Sequence, residues 1–587
     1  MCGIFGYVGK RGNAAEIVFD GLKRLEYRGY DSWGVAVKVG NKIIVEKHVG
    51  KIGQAKVNLP SSTLGIGHTR WATHGGVTVA NAHPHLDCSG QIAVVHNGIV
   101  ENFQELKDEL VKRGHKFVSE TDTEVIVHLI EDFFKKDSFS ESVRLAFNRL
   151  TGLNAIVAAN ANLQEIVAAK SGSPLVAGVA NGDLFIASDA SGIVKHTKKV
   201  VFIEDGQMAI LGKSLKLVEL VSAKVVKPKV MTLDWKFEDT EKGKFKHFFL
   251  KEIYEQPLIL ENIATNSHGQ IQKMAEMVES AFGTFFVACG SASYSALAGT
   301  YLFSKLAKKH VNFAIGSEFN YLEDYIGKGT LVIPISQSGE SVDVIQPVLR
   351  AKQKGAKIAA IVNVLGSTLY READYKLLLS SGPEKAVVAT KSLTAMVAVL
   401  ILITYSLIRV QEKGQTLLLK AAKDIKSILS EKYINKIKKV AGKLKKKGHI
   451  YIIGRGLSYA TALEAALKIK EATYIHAEGF AGGELKHGVI ALIQKGTPCI
   501  VFAPNDETYE EIISNAQEVK ARGGYIIGVG PRNNLVFDDW LATDDSGVAT
   551  MIAQIVIAQL LAYHLALERG IQDPDKPRNL AKSVTVK

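Results

Sequence analysis

The sequence predicts an α+β domain built on antiparallel sheets, followed by two doubly wound α/β domains that arose by duplication. Three observations carry this. Residues 1–235 alternate short apolar strands with glycine turns ("GIFGYVG", "GVAVKV", "KIIVEKHVG", "GIGHTRWAT", "QIAVVHNGIV"), with helical segments at 13–26 and 101–113. Beyond a charged stretch of weak periodicity at 224–247, which reads as a linker, the pattern becomes β-α-β-α. That pattern then occurs twice: "FFVACGSASYSALAGTYLFSKLA" (285–307) aligns with "YIIGRGLSYATALEAALKIKEA" (451–472), and 330–361 aligns with 497–529. A chain of 587 residues is too long for one core, so several domains are expected. The boundaries expected are 1–235, 248–430, 431–577 and a tail at 578–587.

The chain opens "MCGIFGYVGK". Removal of Met1 would leave Cys2 carrying a thiol and an α-amine on one residue. The thiolate is the nucleophile, and an amine with a pKa of about 7.7–8.0 is a built-in base. By position alone, a small residue on a frayed terminus is the plainer reading.

Composition narrows the class. Four widely spaced cysteines without a CxxC pair point to a reducing compartment, against both a disulfide framework and a zinc site. No signal-peptide pattern precedes the first charges, and a cytoplasmic protein is expected. The net charge of +13 is mostly lysine, densest at 436–449, where Ile437, Val440 and Leu444 have helical spacing and no aromatic residue is interleaved. Nucleic-acid binding is not expected; an anionic small substrate fits the charge better. Two uncharged stretches, 392–408 and 546–567, approach membrane-spanning length, but the second carries Gln554, Gln559 and His564. Both read as buried helices, and no membrane association is expected.

The two copies differ where chemistry would differ. In the first, "SQSGES" (336–341) places three hydroxyls, an amide and a glycine between strand and helix, a setting that cradles phosphate and is equally an ordinary polar N-cap turn. The second copy has "APNDET" (503–508), whose Asp506 and Glu507 would repel an anion. It also has "ALEAALKIKEATYIHAEGFAGGELKHGVI" (462–490), with Glu464, Lys468 and Glu471 on one helix face and His487 in a glycine-rich loop. Carboxylate, amine and imidazole suit proton transfer beside a carbonyl. Spacing alone reads instead as an exposed, salt-bridged face. The tail "PDKPRNLAKSVTVK" reads as a disordered end.

Taken together, "MCGIFGYVG", "LEYRGYDS" (25–32), "HTRWATHG" (68–75), "HPH" (83–85), "HNGIVEN" (96–102) and "ETDTE" (120–124) resemble the glutamine amidotransferase domain of the N-terminal-nucleophile (Ntn) hydrolases. "SQSGES", "AEGFAGGELKHG" and "PRNLAKSVTV" resemble the paired sugar isomerase (SIS) domains of the glucosamine-6-phosphate synthase family. The resemblance implies an αββα glutaminase followed by two SIS domains. It implies that Cys2 attacks the amide of glutamine, with its own amine relaying the proton. Asn97 and the Gly98 N–H would form the oxyanion hole, Arg70 would hold the substrate α-carboxylate and Asp122 its α-ammonium. Trp71, Thr73 and His74 would line the pocket, Trp71 at the mouth of an ammonia passage. The sugar phosphate would sit on Ser336, Gln337, Ser338 and Ser341. Lys582 would form a Schiff base with the open-chain ketose, His487 would assist ring opening, Glu471 would move a proton between C1 and C2, and Lys468 would lie nearby.

The implied reaction turns fructose 6-phosphate and glutamine into glucosamine 6-phosphate and glutamate. No cofactor or metal is expected; the five histidines between His68 and His96 match no common ligand spacing. Pairing of two copies through the SIS domains is expected. Two departures from the family pattern, Ala292 and Ala389, remove a hydroxyl near the phosphate and another near the sugar, and weaker or rearranged sugar contacts are expected there. The ATP loop of asparagine synthetase and the phosphoribosyl loop of amidophosphoribosyltransferase are absent from the sequence. A sugar-phosphate-sensing regulator would need a DNA-binding module and would not need Cys2, Arg70, Asn97 and Lys582 together.

Overall fold

Strand Gly3–Val8 alternates its side chains between two layers, with Ile4 and Val8 turned toward a second sheet and Phe5 and Tyr7 toward a helix. This alternation runs through the first of two compact units into which the chain divides, 1–241 with 581–587. The computed structural model describes residues 2–233 and 237–584, without the side chains of 237, 238 and 268. Among the described residues the first unit has an eight-stranded and a seven-stranded sheet. In the eight-stranded sheet, Gly3–Val8 lies between Leu64–Arg70 and Asp183–Ala187, antiparallel to both. In the seven-stranded sheet, Asn154–Asn160 lies between Ile92–Gly98 and Ile166–Ser171, again antiparallel. Ile66, Val95, Val157 and Ala168 belong to one buried layer between the sheets.

Helix Ala14–Leu25 covers one outer face through Ile17, Val18 and Leu22. Helices Glu124–Phe134 and Phe139–Asn148 cover the other through Ile126, Ile130, Val143 and Phe147. The order is helix, sheet, sheet, helix. The stretch read as a linker begins inside this unit: Val225–Val226 and Met231–Thr232 pair as short edge strands. Their β-branched residues suit an edge, but two-residue strands leave no periodicity to read.

The second unit, 242–580, repeats one topology. Its first five-stranded sheet runs Asn312–Ile315, Gly283–Ala288, Thr330–Ser336, Lys357–Val362, Tyr375–Leu378, all parallel. The other runs His476–Ala481, His449–Gly454, Pro498–Phe502, Tyr525–Gly530, Asp539–Ala542, also parallel. Gly290 and Gly456 begin the first helix of each copy with φ 57° and 53°, a conformation that favours glycine. One apolar core joins residues of both sheets, Phe286 and Ile333 with Ile452 and Phe502.

Helix Thr550–Glu568 is long and apolar enough to cross a membrane, yet it is buried within this unit. Its Gln554 accepts a hydrogen bond from Ser458 (3.1 Å), and Gln559 accepts one from Gln256 (2.7 Å) and donates to the Thr390 carbonyl (3.3 Å). Internal partners for these amides are what a protein core demands. Helix Glu431–Leu444 buries Ile437, Val440 and Leu444 and leaves its lysines outside, as its spacing predicts.

Candidate functional site

In the first unit the site gathers at neighbouring strand ends. Gly3 pairs with Thr69 across the sheet, so Cys2 falls beside Arg70 and Trp71, one residue beyond the ladder. The Trp71 N–H donates to Cys2 Sγ (3.2 Å). Arg28 Nε and Asn97 Nδ2 both donate to the Cys2 carbonyl (3.1 and 3.0 Å). Asn97 and Gly98 end strand Ile92–Gly98.

Buried His68 fixes the orientation of Asn97. Its Nε2 lies 2.9 Å from the His96 carbonyl and 3.1 Å from Asn97 Oδ1. Both are acceptors, so Nε2 carries the proton, Oδ1 faces His68 and Nδ2 is turned to Cys2. Burial pushes the His68 pKa down to about 3, so the ring is neutral at physiological pH. His83 stacks on it, with ring centroids 4.1 Å apart, and burial likewise holds His83 and His85 neutral.

Arg70 is buried and donates to the carbonyls of His74, Gly75 (3.3 Å) and Gly76 (3.1 Å), folding the loop after its strand around the guanidinium. Burial presses its pKa below the ordinary value, while Cys2, Asp122 and Asp31 pull it back up. Asp122 is buried and accepts from the Val100 N–H (2.7 Å). Thr73 is exposed; His74 is half-buried, edge-on to Phe103 at 4.8 Å. Met1, whose removal the N-terminal reading supposes, lies outside the described residues.

Three supporting residues received no role from the sequence. His68 orients Asn97. Asp31 accepts from the Ala72 N–H (2.8 Å), and Glu120 accepts from Asn81 (2.9 Å) and the Gly76 N–H (3.3 Å). All three sit inside the motifs quoted above, but their partners lie 29, 41 and up to 44 residues away.

In the second unit, "SQSGES" joins strand Thr330–Ser336 to helix Val342–Gln353. Ser336 Oγ accepts from the Gly339 N–H (3.0 Å), Ser338 Oγ from the Glu340 N–H (3.1 Å), and the Gln337 carbonyl from Asn363 (3.2 Å). Glu340 anchors the turn through the N–H and hydroxyl of Thr368 (2.9 and 2.8 Å). Ser341 stands at the helix N-cap with no side-chain capping bond. In the other copy, Asp506 accepts from the N–H and hydroxyl of Thr508 (2.9 and 2.6 Å), placing its own carboxylate at the corresponding helix start.

Glu464, Lys468 and Glu471 do lie on one helix, Leu457–Thr473, but the expectation of an exposed face is overturned: Glu464 and Lys468 are fully buried. The reason is that helices Ser291–Leu302, from the first copy, and Thr550–Glu568 both pack against this one. Lys468 Nζ lies 2.6 Å from Glu471 and 3.4 Å from Glu464, and Ser291 donates to Glu464 (3.2 Å). Burial pushes the Glu464 carboxyl up to about 7 against the pull of Lys468. Burial opposes the Lys468 ammonium too, but the two carboxylates outweigh it and raise its pKa.

The two departures from the family pattern are surrounded by occupied hydroxyls. Next to Ala292, Ser293 donates to the Gly290 carbonyl (2.6 Å). Next to Ala389, Thr390 bonds Glu252 and Glu384 (3.1 and 3.3 Å), and Lys391 pairs with Glu255 (2.7 Å). His487 is exposed at the end of the turn Gly482–His487. Lys582 lies on the terminal segment that groups with the first unit.

Residues 68–195 match the glutamine amidotransferase domain family, and residues 280–405 and 443–569 each match the SIS domain family. The chain is 44% identical over 605 residues to the glutamine–fructose-6-phosphate aminotransferase (isomerizing) of Thermococcus kodakarensis, and 43% identical over 604 residues to that of Pyrococcus horikoshii, covering 100% of every chain. Its structure resembles the C-terminal domain of glucosamine-fructose-6-phosphate aminotransferase from Francisella tularensis (TM-score 0.53, 32% identity, 56% of this chain and 98% of that one). The fold and these matches define an Ntn-type glutamine amidotransferase joined to a pair of SIS domains. Within that class, the chain belongs to the glutamine–fructose-6-phosphate aminotransferase (isomerizing) family.

Proposed function

We propose that the first unit releases ammonia from glutamine and the second installs it on fructose 6-phosphate, giving glucosamine 6-phosphate and glutamate. The observation that supports the glutaminase half best is the fixed amide of Asn97, turned by His68 toward Cys2. The Cys2 thiolate attacks the side-chain carbonyl carbon of glutamine, and the carbonyl electron pair moves onto oxygen. An amide NH₂ has two donors. Asn97 uses one on the Cys2 carbonyl and offers the other, with the Gly98 N–H, to the oxyanion. Collapse expels ammonia with a proton relayed by the Cys2 α-amine, and water then releases glutamate from the thioester. Arg70 holds the α-carboxylate, Asp122 the α-ammonium, and Trp71, Thr73 and His74 line the pocket.

In the sugar half, Ser336, Gln337, Ser338 and Ser341 bind the phosphate at a helix N-terminus. His487 assists ring opening. Lys582 forms an imine at the C2 ketone with loss of water, and ammonia displaces the lysine. Glu471, 2.6 Å from the Lys468 ammonium, takes the C1 proton and returns it to C2 while the C1 hydroxyl proton passes to the imine nitrogen, leaving an aldehyde at C1 and an amine at C2. The enzyme works in the cytoplasm as a homodimer joined through its SIS domains, and neither reaction calls on a metal or an organic cofactor. Incubation with glutamine and fructose 6-phosphate, without ATP, tests the reading. Equal amounts of glucosamine 6-phosphate and glutamate are expected; glutamate without amino sugar would overturn the sugar half.

A further inference from the structure

On the helical side of the seven-stranded sheet, away from the groups assigned to glutamine, four side chains from three segments turn toward one point. Cys88 comes from the loop before strand Ile92–Gly98, His115 from just beyond helix Phe103–Lys112, and His128 and Glu131 from helix Glu124–Phe134. One ligand atom from each lies within 4.8 Å of all the others. Cys88 Sγ is 3.7 Å from Nδ1 of both histidines. Glu131 Oε2 is 2.9 Å from His115 Nδ1 and 3.0 Å from His128 Nδ1.

These separations are close to the edges of a zinc tetrahedron. Bonds of about 2.0–2.1 Å to nitrogen or oxygen and about 2.3 Å to sulfur give edges of about 3.3 Å for N···O and about 3.6 Å for N···S. The sulfur is already at that spacing, and the carboxylate needs to withdraw by only about 0.3 Å.

A second observation concerns the far side of each ring. Both histidines aim Nδ1 inward; His115 hydrogen-bonds a carboxylate through Nε2, and His128 Nε2 faces one from beyond hydrogen-bond distance. His115 Nε2 is 2.9 Å from Asp132 Oδ1, and His128 Nε2 is 3.7 Å from Glu124 Oε1. At His115, a carboxylate hydrogen-bonded behind the imidazole fixes the tautomer and ring orientation that a metal needs. Both rings are nine-tenths or more buried, so these orientations are set by packing.

We propose that Cys88, His115, His128 and Glu131 form a structural zinc site in the glutaminase unit. All four positions are filled by protein, which is the mark of a structural rather than a catalytic zinc. The expectation that no metal binds looked for paired cysteines and for clustered histidines at 68–96; here the two histidines stand 27 and 40 residues beyond the cysteine. The ion ties the loop at 87–91 to the start of the segment 115–123. That segment leads into Glu120, Asp122 and Thr123, which hold the Gly76 N–H, the Val100 N–H and His96 in the glutamine site.

The test uses the full untagged chain carrying Cys2→Ala, which removes the competing thiolate. The protein is treated with chelator and titrated with Co²⁺ or Zn²⁺ alone. One metal per chain is expected, and the cobalt form should show the intense d–d bands of a tetrahedral ion with a thiolate-to-cobalt charge-transfer band. Adding Cys88→Ser should remove the charge-transfer band while circular dichroism stays unchanged. Asp132→Asn, which leaves every ligand in place, should weaken zinc binding about 10–100-fold. Failure to bind one metal, an octahedral cobalt spectrum, or a charge-transfer band that survives Cys88→Ser would overturn the site.

Discussion

Asn97 accepts one hydrogen bond and donates another, and the pair decides which way its amide faces. Asn97→Ala should therefore lower glutaminase kcat about 10²–10³-fold with little change in KM for glutamine, measured by glutamate release. His68→Ala removes the acceptor's partner and lets the amide turn; a smaller loss in kcat, on the order of 10–100-fold, is expected in the same assay. Glu464 makes a different prediction. With its carboxyl held up to about 7 by burial, the folded chain keeps a proton between pH 4.5 and 7 that the unfolded chain has released. The stability this proton supplies is complete at low pH and lost as pH rises through 7. Glu464→Gln should flatten the thermal midpoint between pH 5 and 8. At this scale Cys2, Arg70 and Asn97 were legible because their motifs are compact. The burial of Lys468 was not, because i, i+4, i+7 spacing is identical on a solvated face and a buried one. Only the packing of other elements, among them the helix beginning at Ser291, separates the two.

At the scale of elements, the contrast between "SQSGES" and "APNDET" was legible, since a turn between strand and helix carries its chemistry in consecutive residues. What stiffens the first turn was not, because Thr368 bonds Glu340 from 28 positions along. Gly339 has φ 65°, and a Cβ there would clash with Ser367 Oγ. Gly339→Ala should cost about 1–3 kcal/mol in the second unit and raise KM for fructose 6-phosphate, leaving glutaminase activity intact. Steady-state kinetics of both half-reactions would check this. The edge strands in the supposed linker were missed for the opposite reason: two residues are too few to show alternation.

Across the whole molecule, the duplication was the clearest sequence signal, and both copies of the repeat adopt the same strand order. Two chemistries on two units predict separable losses. Cys2→Ala should abolish glutamine-dependent synthesis while sugar isomerisation continues, and Lys582→Arg should block synthesis while glutamate release persists. Product analysis by mass spectrometry distinguishes these outcomes.

The apolar helix Thr550–Glu568 has a consequence for how the chain is made. It completes a core shared by both copies of the repeat, yet it is synthesised well after the buried helix Lys391–Leu407 that belongs to the same core. At about 5–20 residues per second, the buried helix Lys391–Leu407 emerges on the order of ten to thirty seconds before it. During that interval the first copy has apolar surface facing water, and nascent chains stalled between the two helices should recruit chaperones that the released chain does not.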